Sequence, residues 1–150
     1  MTPQQLLRQY ATDPVRLLAL CIYREARGES LQAKKGVAST VLNRCVMAPR
    51  EGFRSDIIGN VLKPYAFSSF LPEDPNYSVF PTESDPVWLD CLAAAHPTIA
   101  ADPTDGAVFY HDNTLLHAPS AWGTVIPTTQ IGRLKFYKLP ISPTPHTANA

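Results

Sequence analysis

A chain of 150 residues is the size of one domain, long enough to bury about 70% of its unfolded surface around a core that needs no staple. Its 13 basic and 13 acidic residues balance, which excludes the basic excess that nucleic-acid or anionic-membrane partners require. No apolar run approaches the ~20 residues of a membrane span, and the opening MTPQQLLRQYATDP is polar with no signal-peptide core. The sequence therefore predicts synthesis in the cytoplasm, no membrane insertion, and action elsewhere only after release.

In chain order, Asp13-Pro14 supplies an N-cap and a first-turn proline. The helix they open carries Val15, Leu17, Leu18, Leu20, Cys21 and Ile22, which leave little polar face, so it should be central and buried. Gly28 is a stop signal. Ser30 caps a second helix, whose Val37, Ala38, Val41, Leu42 and Cys45 form one stripe. Asp56 caps a short third helix ahead of Pro64, and Asp85-Pro86 caps a fourth that Pro97 ends.

Between the last two helices, PYAFSSFLPEDPNYSVFPTES holds Tyr65, Phe67, Phe70, Tyr77, Phe80 and four prolines. A loop this long and aromatic is of a kind that is often functional. ADPTDGAVFYHD reads as a turn and a short strand, IGRLKFYKL as a second strand, and the two are expected to pair as a small ribbon. The class is mainly α (α+β). Residues 1–140 form a single domain, and 141–150 a flexible, Pro-rich tail.

Cys21, Cys45 and Cys91 fall inside apolar helical patterns and read as buried free thiols. Cys91 with His96 is a conceivable nucleophile pair, but Cys91 shares a face with Val87, Trp88 and Ala95. His111, Asp112 and His117 match no zinc pattern, so no metal or cofactor is expected. Asp102, Asp105 and Gly106 are turn chemistry.

Glu25 is the outstanding site candidate. It follows Leu18, Cys21 and Ile22 on an apolar helix face, near the helix's negative end. Desolvation and the helix dipole both raise a carboxyl's pKa there, which a general acid requires. The plainer alternative is an ion pair with Arg27 or Arg44 that merely tethers two helices. Glu29, beside the Ser30 cap, suits a helper or structural role.

LLALCIYREARGESLQAKKGVASTVLNRCV resembles the opening of the SleB-type cell-wall hydrolases, which include spore cortex-lytic enzymes. The matching residues are Tyr23, Glu25, Ala26, Arg27, Gly28 and Glu29, then Val41, Leu42, Asn43 and Arg44. AFSSF, DPTDGAVFYH and IGRLKFY resemble later segments of the family, in order, so the likeness spans about residues 15 to 138. The family's usual His before the final Phe-Tyr is Leu134 or Lys135 here, and Ser69 stands where relatives often carry Cys.

The resemblance implies a lysozyme-like, goose-type-transglycosylase-like helical fold acting on peptidoglycan glycan strands, with Glu25 as catalytic acid. The bond would be the β-1,4 link from N-acetylmuramic acid to N-acetylglucosamine. The expected outcome is a lytic transglycosylase leaving 1,6-anhydro ends. A hydrolytic muramidase with a second carboxylate (Glu29, Asp102 or Asp105) and a non-catalytic glycan-binding module remain alternatives. Glu29, Tyr65, Phe67, Ser68, Ser69, Tyr110 and Trp122 are the candidate substrate contacts. A compact lysin of this kind resembles an endolysin, made in the host cytoplasm and acting as a monomer in the cell wall or periplasm after a holin-type pore releases it.

Overall fold

The chain opens with a helix that its polar composition does not advertise. In the computed structural model, which describes residues 1–96 and 102–140, α1 (Pro3–Tyr10) starts on a capping box formed by Thr2 and Gln5. Its Tyr10 is buried against the rings of Phe80 and Trp88.

The four further α-helices among the described residues begin at the capping residues expected of them. Asp13 caps α2 (Pro14–Ala26), Ser30 caps α3 (Leu31–Met47), Asp56 caps α4 (Ile57–Leu62) and Asp85 caps α5 (Pro86–Ala95). Each accepts hydrogen bonds from backbone N–H groups that the first helical turn leaves free. Pro97, the expected end of α5, lies outside the described residues, as does the tail 141–150; α5 ends at Ala95 with His96 as its cap.

Leu17 to Ile22 are all 0% exposed, so α2 is buried on every side. It packs against α3, α4 and α5. Trp88 of α5 lies fully buried against it, and Tyr23 of α2 donates its hydroxyl to Asp85, the α5 cap, at 2.9 Å. One carboxylate thus fixes both the start of α5 and its docking on α2.

Three strands follow among the described residues, where two were expected. The strands β1 (Phe109–Asp112), β2 (Ile126–Ile131) and β3 (Leu134–Lys138) form an antiparallel sheet in the order β1-β3-β2. The anticipated pairing of β1 with β3 is present, with Tyr110 opposite Phe136. The unforeseen β2 is an edge strand holding Pro127, a residue tolerated in sheets mainly at edges and irregularities, and the register slips between Pro127 and Thr129. Gly132, at φ +57°, makes the tight turn into β3. The sheet meets the helices at Gly36 of α3, where a Cβ would stand 2.6 Å from the Phe136 ring. Only glycine lets that ring lie against the helix.

Candidate active site

The last turn of α2 carries Glu25 to the edge of the core, where its side chain is part-buried. Tyr110, from β1, donates its hydroxyl to Glu25 Oε1 at 2.8 Å. Desolvation raises the pKa of Glu25 and is the largest influence on it. The Tyr110 hydrogen bond and the nearby Ser69 hydroxyl pull it back, Asp74 pushes it up and Arg44 pulls it down. The net shift is upward, toward a carboxyl that keeps its proton. No ion pair to Glu25 forms among the described residues, so neither Arg27 nor Arg44 tethers it.

Burial in turn pushes the Tyr110 hydroxyl well above its ordinary value, helped by the neighbouring Glu25. Tyr110 therefore stays a neutral hydroxyl that can donate or accept. Ser69 is 1% exposed and its Oγ makes no hydrogen bond of good geometry. Its influence on Glu25 comes from proximity rather than from a formed bond. A buried hydroxyl without a fixed partner is free to turn toward whichever protonation state the carboxyl adopts.

Ser69 is held there by the residue before the acid. Arg24 donates to the carbonyls of Ser69 at 3.1 Å, Tyr77 at 2.8 Å and Val79 at 3.1 Å. Its guanidinium lies between the Phe70 and Phe80 rings, 4.8 and 4.7 Å from their centroids. The aromatic loop is thus sewn onto α2 beside Glu25. Arg27 adds a bond to Asn76.

The VLNR segment has an equally physical reading. Asn43 donates to Asp102 and to the Ala107 carbonyl, both at 2.9 Å, while Asp102 accepts from Thr104 and Gly106. Arg44 Nε donates to the Val108 carbonyl at 2.8 Å. These bonds fasten the DPTDGAV turn to α3 and so aim β1, and with it Tyr110, at Glu25.

Glu25 opens into a cleft of about 370 Å³. Tyr65, Phe67, Phe109, Tyr110, Trp122 and Arg44 line it together with Glu25. Trp122 stacks on Phe109 with ring centroids 4.7 Å apart. The cleft therefore gathers Glu25, Tyr65, Phe67, Tyr110 and Trp122 from the candidate set. Ser69 is buried behind it, and Ser68 is exposed and not among the lining residues. Glu29 stands apart: its carboxylate accepts from the Arg133 N–H at 3.2 Å, bracing the β2–β3 turn.

Sequence reasoning missed Phe53, Phe109, Lys63 and Glu51, which also line the cleft. They carry no local signal, because each is brought in from a turn or strand whose placement depends on distant packing.

The competing constellations dissolve. Cys91 is fully buried and burial pushes its thiol up to about 12, so no thiolate forms near neutrality. His111 uses Nδ1 on the Asp112 carbonyl and Nε2 on the Tyr137 hydroxyl at 2.8 Å. No group of three metal-ligating side chains gathers among the described residues. Asp102 is locked in its turn, and Asp105 pairs with Lys138 at 3.6 Å.

This geometry has relatives. The catalytic domain of the Bacillus cereus SleB protein superposes with a TM-score of 0.62 at 26% identity, covering 86% of this chain and 92% of that one. The catalytic domain of the germination-specific lytic transglycosylase SleB from Bacillus anthracis gives 0.60 at 26% identity, over 83% and 93%. The fold is lysozyme-like, as expected. The spore cortex-lytic enzyme of Bacillus subtilis (strain 168) is 28% identical over 115 residues, 76% of this chain; the match spans 34%, about a third, of that relative's length. The sequence model of the cell wall hydrolases matches residues 28–137, a stretch that begins three residues after Glu25. Glu25 thus lies just outside that match, and the chain belongs to the cell wall hydrolase family.

Proposed function

We propose that this protein cleaves the β-1,4 bond between N-acetylmuramic acid and N-acetylglucosamine in peptidoglycan, as a lytic transglycosylase with Glu25 as its acid and base. The observation that carries this reading is the setting of Glu25: a desolvated carboxyl with raised pKa, tied to a neutral tyrosine hydroxyl, at an aromatic-walled cleft. Protonated Glu25 gives its proton to the leaving glycosidic oxygen as positive charge develops at C1. The carboxylate then takes the proton of the muramoyl 6-hydroxyl, whose oxygen attacks C1 and closes the 1,6-anhydro ring. Because nucleophile and electrophile share one sugar, the attack needs no second carboxylate. Tyr110 suits both halves of the cycle, since its hydroxyl can donate to the anion or accept from the acid.

A hydrolytic outcome is the second reading, and one observation favours keeping it. Glu51 is the other carboxylate lining the cleft, whereas Glu29, Asp102 and Asp105 are engaged elsewhere. Mass spectrometry of digested peptidoglycan separates the two. Anhydromuramic ends support transglycosylation; reducing muramic ends alone overturn it and turn attention to Glu51. An endolysin role is the setting this reading anticipates: co-expression with a pore-forming protein should clear a culture that expression alone leaves turbid.

A further inference from the structure

The second arginine of the site has unused hydrogen-bonding capacity. Arg44 is 8% exposed, and its guanidinium sits 5.1 to 5.6 Å from the centroids of the Phe53, Phe67 and Phe109 rings. Its Nε is taken by Val108. Among the described residues no carboxylate pairs with it and no acceptor meets its two terminal nitrogens, yet neither nitrogen is sealed off as a buried, unpartnered atom. Arg44 lines the cleft, so the two terminal nitrogens that the protein leaves without an acceptor belong to a residue of the cleft wall, held among three aromatic rings.

We propose that Arg44 is a binding point for a carboxylate on the muramoyl side chain of the glycan substrate, an inference that rests on the peptidoglycan reading above. A planar guanidinium fork matches a carboxylate in two parallel hydrogen bonds. Burying a cation is costly unless an anion or several acceptors compensate, and this protein supplies one acceptor and three ring faces. The sugar units themselves offer hydroxyl and acetamido groups, which are neutral. The muramoyl side chain is where the substrate carries anions: the lactyl carboxylate of a strand stripped of peptide, or the carboxylates of an attached stem.

The surroundings agree. Lys63 also lines the cleft, with its Nζ 6.0 Å from the Phe53 ring that faces Arg44, which adds positive potential at that end. Glu51 does not neutralise it, for Lys63 meets the Glu51 carbonyl at 3.4 Å and no ion pair forms between their side chains. Arg44 lines the same cleft as Glu25, and its charge pulls on that carboxyl, so an anion bound to it would lie in the cleft that the muramoyl ring must enter.

The test alters the substrate first, so that folding is not at issue. The wild-type protein is given peptide-free strands and peptide-bearing strands, each with carboxylates free or converted to neutral methylamides. Masking should raise KM roughly tenfold or more, the scale of one charge-assisted hydrogen bond, with kcat retained. Loss on peptide-free strands identifies the lactyl carboxylate; loss confined to peptide-bearing strands identifies the stem. Arg44→Gln should erase the preference and Arg44→Lys keep part of it, with circular dichroism confirming the fold. Calorimetric binding of the same strands to the Glu25→Gln protein reads the preference without cleavage. If nothing is cut but free carboxylates bind better, the anion site stands and the transglycosylase reading falls. If masked and free strands are cut or bound within about twofold of each other, or none binds, the anion site is wrong.

Discussion

Glu25 is flanked by two regions that solve one problem in the same way and end differently. In each, an arginine cation is buried between aromatic rings: Arg24 under the loop of Phe70 and Phe80, Arg44 among Phe53, Phe67 and Phe109. Arg24 spends Nε and both terminal nitrogens on backbone carbonyls. Arg44 spends only Nε. Burial lowers both pKa values, that of Arg24 to about 10, which leaves Arg24 charged at neutral pH. What separates a structural rivet from a recognition group is therefore neither burial nor aromatic contact, but how many donors the fold leaves over. The rivet holds the aromatic loop against α2 beside Glu25, and the other arginine lines the cleft.

That contrast assumes both regions serve Glu25, and the largest expected effect tests the assumption. Glu25→Gln keeps shape and hydrogen bonding but cannot deliver a proton, so lysis of purified peptidoglycan should fall by at least roughly a hundredfold, the lower end of what general acid–base catalysis is worth. The same variant should be more stable than the wild type at neutral pH. The folded-state pKa of Glu25 is raised, so the native state binds more protons than the unfolded state between the ordinary value and the raised one. The wild-type protein therefore loses stability as pH climbs through that window. Below pH 4.5, the ordinary value of the group, both states are protonated and the advantage of the variant should vanish. Urea titrations at several pH values read the trend; an advantage that grows on acidification would mean the carboxyl is held down, not up.

The next effect separates the two arginines. Arg24→Ala strands the Ser69, Tyr77 and Val79 carbonyls and opens a void between two rings, so it should cost about 3 kcal/mol or more of stability, the scale of losing several charge-assisted hydrogen bonds. Arg44→Gln gives up one such bond within the protein, and its stability loss should stay near 1–2 kcal/mol. Chemical denaturation of both variants checks the ordering. Equal losses would mean that Arg44 is as structural as Arg24, which would weaken its assignment to substrate.

The sequence already displayed what is local. Asp13, Ser30, Asp56 and Asp85 announce their helices because a cap is settled within three or four residues. Glu25 was legible because its apolar face runs back along its own helix. The partners of that helix were not. Tyr110 reaches Glu25 across 85 positions and Arg44 meets Val108 across 64, separations on which local periodicity is silent. Thr2 and Gln5 did spell out a capping box for α1, hidden only by the polar composition around it. The missed strand β2 has a different cause: Pro127, and a burial pattern in which Ile126, Pro127 and Gln130 are exposed and no residue is fully buried, give this edge strand little apolar alternation.

A smaller effect concerns the thiol set aside above. Cys91→Ala removes a sulfur from a fully buried position on α5 and should cost about 1 kcal/mol, the typical price of a single core change. Activity per folded molecule should not move, because a thiol pushed up to about 12 holds its proton at working pH. Inactivation of a well-folded Cys91→Ala protein would reopen thiol chemistry.

The smallest effect belongs to the other glutamate of the motif. Glu29 and Glu25 lie four positions apart, yet α2 ends at Ala26, so they leave the helix in different directions. Glu29 turns to the Arg133 N–H at the head of β3, against Gly132. Its backbone carbonyl takes the Lys34 ammonium, which also meets the Arg27 carbonyl at 3.3 Å and so caps the end of α2. The carboxylate's own share is one exposed hydrogen bond. Glu29→Gln keeps an acceptor in place, so the stability change should stay within about 0.5 kcal/mol, as for ordinary surface substitutions. Lysis should stay within roughly twofold of wild type, far from the loss expected at Glu25. The two Gln variants, assayed side by side on one peptidoglycan preparation, set acid against brace. Equal losses at both positions would show that Glu29 takes part in the chemistry, and that the β2–β3 turn belongs to the site rather than to its support.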